Sequence, residues 1–258
     1  MMANLFSSFD PSTSIISSLN WYSTIIGLMM IPPMYWTTPS RITMLFILLY
    51  YKLYTEFKIT MSKPNAKMNL MMISMFMFIL TNNMMGLLPY VFTSSSHMVY
   101  SLSLSLPLWL ALMMYTWINF TNKTFTHMLP NGTPALLMPF LVCIETVSNI
   151  IRPMSLAIRL TANMIAGHLF MVLLGNLIVH SEHYMLIVIT QTLLMMFELC
   201  VSFIQAYVFT TLSTLYIKEV AYETSQKPPM SYSSLQPLAF NWINWSININ
   251  LRNSYLIS

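Results

Sequence analysis

Two apolar segments, at about 139–177 and 184–216, are each too long for a simple membrane crossing and too apolar for a water-exposed fold. As helices they extend roughly 50 to 60 Å at 1.5 Å per residue, against about 30 Å of hydrocarbon in a bilayer. Each has to tilt steeply, kink or break, and Pro153, Gly167 and Gly175 offer places to bend. A short loop with His180, Glu182 and His183 separates them. Only 7% of the 258 residues are charged and 56% are hydrophobic, whereas soluble domains carry about a quarter charged residues. The chain is expected to be an all-α integral membrane protein.

The rest of the chain supplies three shorter spans, at about 14–36, 68–88 and 101–120. Residues 90–105 read as a polar, Ser-rich connection, and Leu129–Pro134 as a turn. Arg41, Lys52, Lys58, Lys63 and Lys67 cluster between the first two spans. Within that interval, Arg41–Lys58 is apolar and aromatic with charged ends, which suits an amphipathic helix lying on the membrane surface. Lys and Arg alternate in presence from loop to loop. By the positive-inside rule this predicts about five passages, with the N-terminus outside and the C-terminus inside. Residues 1–220 then form one membrane domain, and the polar, Pro-rich residues 221–258 form an extension too polar to span. No secretory signal or transit peptide is visible ahead of the first span, which is expected of a membrane protein made inside its own compartment.

Several residue types invite functional readings that their placement argues against. The 26 methionines are scattered without a repeated MxxM array and read as apolar filler rather than as soft-metal ligands. Cys143 and Cys200 lie in apolar runs without metal spacing and read as small buried residues. There is no basic patch for nucleic acid, and no GxxxxGK[ST] loop for phosphate. His97, His127, His180 and His183 lie in or beside loops and read as solvated, although His180, Glu182 and His183 could bind a metal or feed protons from outside. Arg152 is expected to snorkel to the interface, with Glu145, seven residues earlier, as an alternative partner.

The costly residue is Arg159, a fixed charge inside a long apolar segment. Asn163 follows one helical turn later on the same face, and Glu145 lies about 21 Å away along the axis. His168 points to roughly the opposite face, about 13 Å the other way. On the last segment Glu198 and Gln205 are seven residues apart and share a face, with Tyr207 and Thr210 beyond. A cation between a carboxylate and an imidazole, touching neither, suits two proton paths with a barrier between them. A stand-alone ion or solute transporter is the alternative, although no inverted repeat is visible.

The motifs RLTANMIAGHLF from Arg159, ETVSNIIRPMSLAI from Glu145 and ELCVSFIQAYVFTTLSTLY from Glu198 resemble the mitochondrial ATP synthase subunit a family, also called subunit 6. NLFSSFDPSTS and NGTPALLMPFLVCIETVSNIIRP resemble its arthropod members in particular. The resemblance covers roughly residues 1–220 and implies a non-catalytic stator subunit of the F0 sector in the mitochondrial inner membrane. Its implied partners are a ring of c-type proteolipids, peripheral-stalk and other F0 subunits, the bilayer and protons, with no cofactor. By the same resemblance Arg159 faces the ring carboxylate, with Asn163 and Gln205 as its polar neighbours. His168 and Glu198 match the half-channel to the intermembrane space, and Glu145 matches the matrix half-channel. The two long helices are expected to lie steeply inclined against the ring.

Overall fold

The computed structural model describes residues 6, 9–12, 18–29, 31–32, 38–61, 68–129, 134, 137–180 and 184–225. All regular structure among them is helical: α1 (Ser23–Met29), α2 (Arg41–Thr60), α3 (Met68–Gly86), α4 (Met98–Asn119), α5 (Thr121–His127), α6 (Met138–His180) and α7 (Tyr184–Ser225). Short 3-10 turns, Leu19–Tyr22 and Ser94–Ser96, precede α1 and α4. Four helical stretches among the described residues are long and apolar enough to cross a membrane: Met68–Gly86, Met98–Asn119, Met138–Leu177 and Tyr184–Val220. Of the expected first passage, 14–36, the described helix is only the seven-residue α1; residues 13–17, 30 and 33–37 lie outside the described set.

Apolar side chains surround α3 on every side, and a helix of that kind belongs in an interior. It is the centre of the protein, with Met72, Phe76, Met77, Ile79 and Leu80 all buried. α7 covers it most extensively, and α1 and α2 pack on other flanks. α7 carries a row of small buried residues, Ser202, Ala206, Thr210, Ser213 and Thr214. Their hydroxyls need no outside partner, because each donates to a carbonyl three or four residues earlier. Small side chains let two membrane helices approach closely where lipid offers no hydrophobic drive.

Ser40 starts α2, accepting a hydrogen bond from Thr43 N at 3.4 Å. Leu53 and Phe57 are buried on one face of α2, while Leu45, Leu48 and Ile59 are exposed on the other. α2 is not among the candidate spans, in keeping with the amphipathic surface helix read from the sequence.

α4 begins at Met98, about three residues before the expected span, so half of the stretch 90–105 is α-helical. Ser101 and Ser103 donate to the carbonyls of Met98 and Tyr100, at 3.1 and 2.7 Å, which lets an apolar helix tolerate them. α6 runs unbroken through Pro153 for 43 residues, and α7 is likewise continuous for 42. Of the three outcomes open to a helix of this length, a break is therefore excluded. An apolar rod of roughly 60 Å fits about 30 Å of hydrocarbon only when steeply inclined.

Candidate functional site

α6 and α7 pack against each other. Arg159 on α6 and Gln205 on α7 line a shallow crevice walled by Leu156, Leu160, Val208 and Phe209. Arg159 is exposed on the outer side of α6, and Asn163, one turn further along, is exposed beside it. Here the side chains agree with the helical spacing: the guanidinium stands on an outward face, open to a partner surface.

The other polar pair lies further along α6 and points inward. Glu198 is buried, only 8% exposed, and packs across Gly167, the residue before His168. A Cβ placed on Gly167 would lie 2.5 Å from Glu198 Oε1, so only glycine leaves room for the carboxyl there. Oε1 of Glu198 and Nε2 of His168 are both buried without a hydrogen-bond partner. Buried polar atoms in proteins are nearly always partnered, so two orphans on facing helices mark a place suited to water or protons. The ring of His168 meets Phe9 edge-on at 6.3 Å. Close by in sequence, Ser12 N–H and Oγ–H both donate to Asp10 Oδ1, at 3.0 and 2.7 Å. These two bonds hold the Asp10 carboxyl below the usual carboxylate range.

Glu145 is half-buried on α6, two helical turns from Arg152 and four from Arg159. It is not the partner of Arg152. Arg152 Nη1 donates instead to Glu219 Oε2 of α7 at 2.7 Å, and its guanidinium lies 5.5 Å over the Tyr216 ring. The neighbouring helix, not the same helix, supplies the counter-charge. Tyr207 donates to Glu56 Oε2 at 3.3 Å, tying α7 to α2 on the side away from Arg159. Thr210 is buried and bonded to the Ala206 carbonyl.

Three further expectations change. Cys143 and Cys200 are exposed, because both lie on outer faces of the long helices where lipid or a partner subunit, not a protein core, is the apolar surrounding. His97 is half-buried rather than fully solvated: its ring stacks on Phe92 at 5.2 Å and meets Trp21 at 5.3 Å, and its Nε2 is buried. Asn83 and Ser95, missed from the sequence, are fully buried with unpartnered polar atoms. Glu182 and His183 fall outside the described residues, as do Lys63, Lys67 and residues 226–258. Among the described residues no cluster of His, Cys, Asp and Glu could hold a metal ion.

Residues 15–218 match the sequence profile of a family described as ATP synthase A chain. Over 226 residues the chain is 53% identical to ATP synthase subunit a of Aedes aegypti, covering 85% of this chain and 100% of that protein. It is 54% identical over 225 residues to the Drosophila melanogaster subunit, with the same coverage. The Locusta migratoria subunit is 51% identical over 224 residues, again with 85% of this chain and 100% of the relative covered.

Proposed function

We propose, for a chain that belongs to the ATP synthase A chain family, that Arg159 divides two proton half-paths through which it drives a rotating partner ring. The chain is a stator subunit of the F0 sector, a proton-translocating component in which nucleotide catalysis lies with other subunits. It is a multi-pass protein of the mitochondrial inner membrane, with its N-terminus toward the intermembrane space and its C-terminus toward the matrix. The stand-alone transporter is not favoured, since the relatives are by name components of a synthase. Residues 1–220 form the membrane domain, and 221–258 an extension of it.

In this reading a proton reaches Glu198 and His168 from the outer side and passes to a carboxylate on the ring. Neutral, that carboxylate turns into lipid, where a charged one would be costly. After nearly a full turn it meets Arg159 from the other side, where the guanidinium favours the ionised form. The released proton leaves toward Glu145 and the matrix. Asn163 and Gln205 keep the guanidinium solvated while no carboxylate faces it. Arg159 also bars a direct leak, because a proton passing it would have to approach a permanent cation in a poorly screened setting.

The observation that carries this reading is the opposite aspect of the two polar sets. Arg159 and Asn163 are exposed on the outer side of α6, while His168 Nε2 and Glu198 Oε1 are buried without partners. The test is ATP-driven acidification by the assembled complex in vesicles. Arg159→Ala is expected to abolish coupled proton transport with assembly intact, and unchanged coupled transport would refute the proposal.

A further inference from the structure

A small cavity between α4, α6 and α7 plays no part in the path described above. Ser105 of α4, Pro153 and Leu156 of α6, and Phe209, Ser213 and Tyr216 of α7 line it, and its free volume is about 10 Å³. That is room for a single water molecule. Leu156 and Phe209 also wall the crevice of Arg159 and Gln205, so the two spaces share a partition.

Three polar groups border the cavity with bonding capacity to spare. Ser105 is 4% exposed and its hydroxyl has no hydrogen-bond partner, whereas Ser101 and Ser103 on the same helix donate to carbonyls of the preceding turn. A buried hydroxyl is rarely left so. Ser213 donates its proton to the Phe209 carbonyl at 2.8 Å, which leaves its oxygen able to accept. Pro153 has no N–H, so the Asn149 carbonyl, aimed at it along α6, lacks the donor that any other residue would supply there.

The far wall is itself held in place. The Arg152 guanidinium lies 5.5 Å over the Tyr216 ring and is anchored in turn by Glu219 at 2.7 Å.

We propose that this cavity is the site of one structural water that joins α4, α6 and α7. The water accepts from the Ser105 hydroxyl and donates to the Asn149 carbonyl and to Ser213 Oγ, the three bonds typical of a buried water. Ordered water is one of the means by which a membrane helix accommodates a proline. Pro153 precedes Arg159 by six residues, about 9 Å along the axis, so the water secures α6 just ahead of its essential charge. It holds helices together rather than carrying protons, which makes the site independent of the proton-path reading.

The test uses the assembled complex in lipid nanodiscs. A density map sharp enough to show ordered water is expected to place one molecule about 2.5–3.0 Å from both Ser105 Oγ and the Asn149 carbonyl oxygen. Bare space there, or the elongated density of an acyl chain, overturns the proposal. Ser105→Ala is expected to shorten the half-life of ATP-driven proton pumping at elevated temperature about fivefold, with the initial rate within about twofold of the parent's. Pro153→Ala restores a helical donor to Asn149, so in that background Ser105→Ala is expected to shorten the half-life less than about twofold. An equal loss in the two backgrounds overturns the proposal, as does an unchanged half-life in Ser105→Ala. Collapse of the initial rate in Ser105→Ala overturns it too, because the water would then be carrying protons.

Discussion

At Gly167 the absence of a side chain is what seats Glu198, because the nearest carboxyl oxygen would stand 2.5 Å from an added Cβ. Gly167→Ala has to displace that carboxyl, and proton flux in the assembled complex is expected to fall while Arg159 and Gln205 keep their crevice. A flux equal to the parent's would show that the position of Glu198 is not critical. Arg152 presents a milder case. Its ion pair with Glu219 is partly exposed, at 35% and 59% for the two side chains, so Glu219→Ala is expected to cost only about 0.5–1 kcal/mol, read as a small fall in the melting temperature of the complex. Arg159 was legible in the sequence because a lone charge in an apolar helix has few reasons to exist, and its helical angle set Asn163 beside it. The partner of Arg152 was not legible, since the i, i+7 rule searches one helix and Glu219 comes from another, 67 residues on. The burial of His97 was hidden for the same reason, because its enclosing Trp21 lies 76 residues earlier in the chain.

Helix length and composition made most of the elements readable, and the exceptions follow from backbone chemistry. The start of α4 was set too late because serine reads as a loop signal, whereas a hydroxyl bonded to the preceding turn costs an apolar helix little. Pro153 leaves α6 unbroken because helices in apolar surroundings re-satisfy a freed carbonyl through local adjustment. α2 carries a claim specific to its element. Leu45, Leu48, Lys52 and Ile59 fall within about 60° of one another around the axis, opposite the buried Leu53 and Phe57. A helix lying in the interface keeps that whole row at one depth, whereas a crossing helix changes depth by about 1.5 Å per residue. Spin labels at Leu45, Leu48 and Ile59 are therefore expected to show equal accessibility to oxygen relative to a polar nickel reagent. A steady gradient from Leu45 to Ile59 would assign α2 to a passage.

Among the flanks that the described helices leave uncovered, one on α6 carries Arg159. Ile144, Ile151, Ser155, Ile158, Ala162, Ala166, Phe170 and Leu173 are exposed along the same side of α6. Apart from Ile158 beside Arg159, the large side chains stand toward the two ends, and Ser155, Ala162 and Ala166 lie around the guanidinium. A partner helix meeting this flank can approach most closely at its middle, where the side chains are small. That is where a ring carboxylate must come within a few ångströms of Arg159, since Coulomb attraction falls with distance and with any water admitted between the charges. Ala162→Trp is expected to hold the partner away at that point without touching Arg159 or either buried orphan. Its coupled proton transport should fall about tenfold or more while the complex stays assembled, with Ala162→Ser close to the parent. A cysteine at Ala162 should in turn crosslink to one placed beside the ring carboxylate, and a cysteine at Ser103, on the far side of α4, should not. Equal crosslinking at both positions, or full transport in Ala162→Trp, would mean that the ring meets another flank and that the exposure of Arg159 has a different purpose.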